Sequence, residues 1–273
     1  MSNEPNNKSP WMEITLERQL SEERDFAESV PVTKKYGILC GHRMGSNLLS
    51  ETLYLTGVMG DPMEFYNKRW LAKFRAKYGA QYQSFQDFYR FIQSRRTSPN
   101  GVFGYNLKVD QFRNIIPNQF GDAKVGQLIL RDTERFVFLR RRDKLDQAIS
   151  AYIGKVKDTF RIPAEANVDE IHKLVEDVPF APAQINNILG DCIMFDKAWE
   201  AFLQKTEKPV LEVYYEDLTA DFEGVIEKVV AFVVSDQEFS LPEQPTAKVS
   251  SPKNRDLKEQ FLRYISPQAH LSL

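Results

Sequence analysis

The chain has 273 residues, 42% of them hydrophobic, enough to bury a sizeable core in one α/β domain with a helical elaboration. Its 36 basic and 38 acidic residues leave a formal charge of -2, which excludes a nucleic-acid binder working through bulk positive charge, so basic groups must act locally. Two cysteines, Cys40 and Cys192, supply neither a disulfide framework nor a thiolate metal cluster, and no His-x-x-x-His or clustered Asp pattern asks for a metal.

The first residues, MSNEPNNKSP, are polar where a signal peptide needs an apolar stretch, and no run reaches transmembrane length. Residues 1–10 are therefore expected to be disordered and the chain cytoplasmic. Residues 11–30 mix Trp11, Ile14, Leu16, Leu20 and Phe26 with charges, as a helix or a packed arm would, and Pro31 closes them off.

A strand is predicted at 36–40, followed by a loop with Gly41, Arg43, Gly45 and Ser46 and a helix over 46–56. Backbone N–H groups at the helix start, the Ser46 hydroxyl and the Arg43 guanidinium converge there on one anion, a phosphate or a sulfate. The alternative is an ordinary strand-to-helix turn with a surface arginine. The loop is not GxxxxGK[ST], because the residue before Ser46 is glycine, and it is not GxGxxG.

The segment 57–67, GVMGDPMEFYN, has the glycine and Asp-Pro signals of an exposed loop and carries Glu64 between Met63 and Phe65. Residues 68–96 read as a helical insertion broken near Gly79, its aromatic stripe serving as packing or as the lining of an extended substrate. Strands follow at 102–109 and 135–139, with a short helix closing at 127–130 between them. The second of these strands runs into Arg140, Arg141 and Arg142, then a helix over 144–157 that carries Ser150. Residues 161–170 are expected to be looped, Pro179 to Pro182 to break the chain, and 183–204 to form a long helix. A strand at 210–214, then Tyr215, Glu216 and Asp217, and a helix over 221–234 complete the alternation. A loop and a short terminal helix, carrying Lys248, Ser251, Lys253 and Arg255, end it.

Strands alternating with helices argue for an α/β three-layer sandwich with a central parallel sheet, whose ligands gather beyond the carboxyl ends of the strands. Arg43, Ser46, Arg142 and Glu216 all fall at that edge.

Three blocks, ILCGHRMGSNLLSETLYLTGVMGDPMEFYN from Ile38, FVFLRRRDKLDQAISAY from Phe136 and VYYEDLTADFEGVIEKVVAFV from Val213, resemble the sulfotransferases, and among them the bacterial Stf-zero type that sulfates trehalose. The resemblance implies a P-loop NTPase-like sulfotransferase fold over residues 31–273, with 1–30 as a disordered end and helical arm. It implies 3′-phosphoadenosine 5′-phosphosulfate (PAPS) as sulfuryl donor, 3′-phosphoadenosine 5′-phosphate (PAP) as product, no metal, a carbohydrate or other small-molecule acceptor, and a homodimer. Arg43, Met44, Gly45, Ser46 and Asn47 match the loop that cradles the 5′-phosphosulfate. Arg142 and Ser150 match the pair that holds the 3′-phosphate, where a guanidinium forks onto two oxygens and a hydroxyl adds a third donor; Arg142 pairing with Asp143 or Asp146, and Ser150 bonding back to Asp146, are the alternatives.

Glu64 matches the family's glutamate base, which would take the acceptor proton without a covalent enzyme intermediate. Where the family often has a lysine this chain has Asn106, and Lys108, two residues on and on the same side of the strand, is the candidate replacement. Tyr215, with Glu216 and Asp217, is expected to orient Arg43 or Arg142, and Lys253 falls where the wider superfamily closes a loop on the nucleotide. His42 reads as local scaffolding, and His172 and His270 have no company that marks chemistry. A P-loop kinase, lacking its lysine, and a non-catalytic nucleotide-binding protein are the competing functions.

Overall fold

A computed structural model describes residues 11–79, 82–122, 124–160, 162, 166–235, 237–245 and 251–266. Residues 1–10, Lys248 and His270 lie outside that set. The chain divides into two compact units, the first made of Leu16–Arg142 and Phe195–Pro245, the second of Asp143–Met194 with the described residues of Met1–Thr15 and Thr246–Leu273.

The first unit is built on four strands, β1 (Lys34–Cys40), β2 (Val102–Lys108), β3 (Arg135–Arg140) and β4 (Val210–Tyr214). They lie in the order β2-β1-β3-β4 and every pairing is parallel. β2 is buried along its whole length and β1 over its last five residues, as apolar runs covered on both faces should be. On one face, Leu48, Leu49 and Leu53 of α2 (Ser46–Leu55) and Ile226, Val229, Val230 and Val233 of α11 (Phe222–Val234) pack on Ile38, Val137, Leu139 and Val213. On the other, the last turns of α9 (Pro182–Leu203) lay Phe202 against Phe136, ring centroids 5.4 Å apart, and the Trp199 indole N–H donates to the Cys40 carbonyl at 3.0 Å. Helix, sheet and helix give the three layers expected.

This strand order puts a topological switch at β1, because the chain leaves it for β2 on one side and returns to β3 on the other. In open parallel sheets the ligand crevice opens at that point, beyond the carboxyl ends of the strands. The residues there are 41–46 after β1 and 141–142 after β3.

In α3 (Lys68–Tyr78) and α4 (Phe85–Arg96) the aromatic stripe is packing: Trp70, Phe74 and Phe88 are fully buried, with Trp70 to Phe74 at 5.3 Å and Phe74 to Phe88 at 5.1 Å between centroids. The same cluster takes in Phe65, 5.5 Å from Trp70. This corrects the expectation of an exposed loop at 57–67, since residues 59–66 are all buried. The Gly-Asp-Pro signals mark a real break in regular structure, but they say nothing of what covers it.

The second unit is helical, with α1 (Trp11–Gln19) beginning in it. Its core joins Ile149, Tyr152 and Ile153 of α7 (Lys144–Lys157), Val175 of α8 (Val168–Val175), Ile185 of α9, and Leu257 and Phe261 of α12 (Pro252–Ile265). Lys258 of α12 spans Asp143 at 2.7 Å and Asp146 at 2.9 Å. Two expectations are corrected here. The loop at 161–170 gives way to α8 at Val168, capped by the Asn167 side chain and carrying Asp169 and Glu170 in its first turn. The terminal helix has 14 residues and is not short. Two further short helices, α5 (Ile116–Phe120) and α10 (Tyr215–Ala220), and α6 (Lys124–Asp132) complete the set among the described residues.

Candidate active site

The loop between β1 and α2 is shaped by two left-handed residues, Arg43 at φ +59° and Gly45 at φ +78°. Gly45 is the N-cap of α2 and offers no side-chain cap, so the first-turn N–H groups, which no helix can pair internally, face the loop. Met44 anchors the loop from below: its side chain is fully buried in the core of the first unit, and its sulfur accepts from the Gly41 N–H at 3.1 Å. Of the five loop residues, Met44 can thus offer a ligand only its backbone. Ser46 is buried and Asn47 half-buried at the helix start.

Arg141 joins this loop, a residue the sequence did not single out within its run of three arginines. Its Nη1 donates to the Arg43 carbonyl at 3.4 Å, and its guanidinium lies 4.7 Å over the Tyr215 ring. Tyr215 in turn packs against Gly45, where a Cβ would stand 2.6 Å from the ring. Burial, and then the neighbouring Arg141 charge, push the Arg43 guanidinium down to about 10, with Tyr215 opposing. Arg43 stays charged at neutral pH, and an anion placed between the two arginines would relieve their repulsion.

Arg142 is exposed, and its guanidinium forks onto Asp217, with Nη1 to Oδ1 at 2.6 Å and Nη2 to Oδ2 at 2.7 Å. Its backbone N–H donates to both oxygens of Glu216 at 3.0 Å, and its guanidinium sits 4.0 Å over the Tyr214 ring. The hydrogen bond to Asp217 raises Arg142 above its ordinary value and holds Asp217 below the usual carboxylate range. Asp143 and Asp146 both meet Lys258 within the second unit. Glu216 and Asp217 lie in α10, against Arg142, and Tyr215 against Gly45 and Arg141. Ser150 lies half-buried on α7 of the second unit, and Lys253 there pairs with Asp256 at 3.1 Å.

Glu64 is buried, 7% exposed, and its carboxylate meets the Lys108 ammonium at 2.5 Å, the Gln111 amide, and the Asn67 amide at 3.1 Å. Lys108, itself 4% exposed, ends β2 beside Cys40. Cys40 connects this pair to the β1–α2 loop, since Lys108, Glu64, Ser46 and Asp110 all act on its thiol, which burial pushes up to about 12. Asn106 is also buried, meeting the Cys40 sulfur at 3.1 Å and the Ser50 hydroxyl at 3.4 Å.

The backbone that carries Glu64 is tied down residue by residue. The Tyr36 hydroxyl donates to Met59, Gly60 N–H to the Ser98 hydroxyl, Asp61 N–H to Arg96, and Asn106 N–H to Met63. Fully buried Asp61 is held by two guanidiniums, Arg24 at 2.8 Å and Arg96 at 2.8 Å, while Arg24 also reaches Glu51 at 2.6 Å. Those long-range ion pairs bury the loop. Gln111 and Arg24 are further members of the site's support, separated from Glu64 by 47 and 40 residues and so without local signal.

A parallel α/β sheet flanked by helices, with two arginines at the loop on its switch point, has its candidate ligand crevice where open α/β sheets place theirs. The family model of the Stf0 sulphotransferases matches residues 35–264, and the chain belongs to that family. It is accordingly a sulfotransferase enzyme, and the family's donor is PAPS. Comparison with curated proteins gives no match. Among solved structures, the sulfotransferase domain from the Synechococcus PCC 7002 olefin synthase is similar at 16% identity, with TM-score 0.43, over 78% of this chain and 76% of that one. Among the described residues no helix is long and apolar enough to cross a membrane, and no group of three or more His, Cys, Asp or Glu is placed to hold a metal.

Proposed function

We propose that the enzyme transfers the sulfuryl group of PAPS to a hydroxyl of a carbohydrate or glycolipid, trehalose among the candidates, with Glu64 as general base. The observation that carries this is the buried Glu64 carboxylate fixed by Lys108 and Gln111 in the unit that holds the anion loop. PAPS supplies an activated sulfur whose bond to phosphate is the one to break.

Arg43, Arg141 and the first-turn N–H groups of α2 fit an anion carrying several oxygens, because two neighbouring guanidiniums and the helix N-terminus meet at one loop. Arg142 is the candidate for the 3′-phosphate, with Asp217 fixing the plane of its guanidinium; Ser150 keeps the role that its sequence spacing gives it. Glu64 takes the acceptor's hydroxyl proton as that oxygen bonds to sulfur, and Arg43 with the helix N–H groups accepts the charge gathering on the departing phosphate. Lys108 pairs with the Glu64 carboxylate and supplies the cation that Asn106 lacks. The same reading has the enzyme act in the cytoplasm as a homodimer.

The test is transfer of labelled sulfate from PAPS to trehalose and a panel of sugars and glycolipids, followed by mass spectrometry. Glu64→Gln, which keeps the Gln111 and Asn67 contacts but cannot take a proton, is expected to lower kcat by about 10²- to 10⁴-fold with PAP affinity little changed. Full turnover by that variant would remove Glu64 from the chemistry.

A further inference from the structure

Arg24 stands in a short 3-10 turn, Glu22–Arg24, ahead of residue 35, where the match to the family begins. All three of its guanidinium nitrogens are bonded within the first unit: Nε and Nη2 fork onto Asp61 at 3.2 and 2.8 Å, and Nη1 donates to Glu51 at 2.6 Å. Its Cζ lies 4.0 Å from the centre of the Tyr54 ring. Glu51 and Tyr54 belong to α2, the helix that begins at the β1–α2 loop, and Asp61 stands three residues before Glu64. One arginine therefore ties the helix that would carry the donor to the loop that would carry the base.

Between Asp61 and Glu64 the chain has little freedom. Pro62 fixes its own φ. Met63 N–H donates to the Asp61 carbonyl at 2.8 Å, and the Met63 carbonyl accepts from Asn106 N–H at 2.8 Å. A shift at Asp61 is thus passed on to Glu64. The arm that brings Arg24 is itself anchored, because Leu16 and Leu20 are buried and Arg96 donates to the Gln19 and Ser21 carbonyls as well as to Asp61. A guanidinium suits this place, since its planar fork holds two carboxylates in fixed directions and an ammonium does not.

We propose that Arg24 is a positioning residue for sulfuryl transfer: by spanning Glu51 and Asp61 it sets Glu64 against the start of α2, so that base and donor stand in line across the acceptor oxygen. This deepens the proposed function and rests on its reading of Glu64 as base. A misplacement of about 1 Å between reacting groups costs about a hundredfold in rate. The ion pair from Arg24 to Glu51, whose side chain is 31% exposed, adds little to folding. Positioning and stability can therefore be told apart at Glu51.

Glu51→Ala and Arg24→Ala in the full chain are assayed with PAPS and trehalose. Both are expected to lower kcat by about ten- to a hundredfold, with PAP affinity and acceptor KM changed by less than about threefold. Tm falls in Arg24→Ala and holds in Glu51→Ala. Arg24→Lys, which keeps the charge without the fork, should recover only part of the loss. In the Glu64→Gln background the Arg24→Ala loss should vanish, because a base that is absent cannot be misplaced. Equal losses in both backgrounds would overturn the proposal in favour of a purely structural arm. If Glu64→Gln loses turnover while Glu51→Ala and Arg24→Ala keep the wild-type kcat, the brace fails and the base stands. Full turnover by Glu64→Gln fails the base reading and the brace with it. Should trehalose not be turned over, hydrogen exchange of the Asp61 and Met63 amides decides: faster exchange in Glu51→Ala supports the brace, and unchanged exchange overturns it.

Discussion

Gly45 meets two demands at one position. Its φ of +78° is a conformation that costs a side-chain-bearing residue about 1–2 kcal/mol, and the Tyr215 ring occupies the space a Cβ would need, at 2.6 Å. Gly45→Ala must therefore move either the loop or Tyr215, and Tyr215 carries Arg141 on its face. The expected outcome is a loss of PAP affinity of tenfold or more, read by calorimetry, with a fall in Tm of a few degrees; unchanged affinity would mean that the loop shape does not matter to the anion. The place of Arg43, Gly45 and Ser46 at the turn from β1 into α2 was legible in the sequence, because an apolar run, two glycines and a helical pattern follow one another there. Arg141 was not, because three consecutive arginines look alike until the strand end turns one onto Asp196 and Glu200, one onto the loop and one onto Asp217.

At the scale of elements, the segment 57–67 shows what separates the pattern from the fold. Its composition is that of a turn, and a turn it is, yet its burial depends on Arg24 and Arg96, which lie 37 and 35 residues away from Asp61. No local signal encodes such a pairing. Burial would lower the Arg24 guanidinium, but Asp61 and then Glu51 hold it above its ordinary value, so the cluster is net attractive. Arg24→Ala leaves Asp61 with Arg96 alone, and a buried carboxylate that loses one of two partners is expected to cost about 1–3 kcal/mol. Urea denaturation should show a lower midpoint with unchanged slope, and an unchanged midpoint would mean that the N-terminal arm does not secure this loop. Elements were legible where apolar pattern and breaks agree: α7 and β4 fall at the bounds read from the sequence. α8 was not legible, although Asn167 and two acidic residues mark its start, because it is short and follows directly on a polar stretch.

For the whole molecule, the parallel sheet and the family agree with what the three motif blocks implied, since those blocks are the strand-to-helix junctions after β1, β3 and β4. The sequence could say which residues stand at those junctions, but the support around Glu64 comes from β2 and the residues just after it, outside all three blocks. Under the proposed function, Arg142 and the β1–α2 loop bind a nucleotide bearing both a 3′-phosphate and a 5′ anion. Calorimetry of PAP against the analogue lacking the 3′-phosphate, on the wild type and on Arg142→Ala, tests it most directly. Tight binding of PAP by the wild type is expected, weakened about ten- to a hundredfold on removing either the 3′-phosphate or the Arg142 guanidinium, with little further loss on removing both. Equal affinity for both nucleotides in both proteins would contradict it.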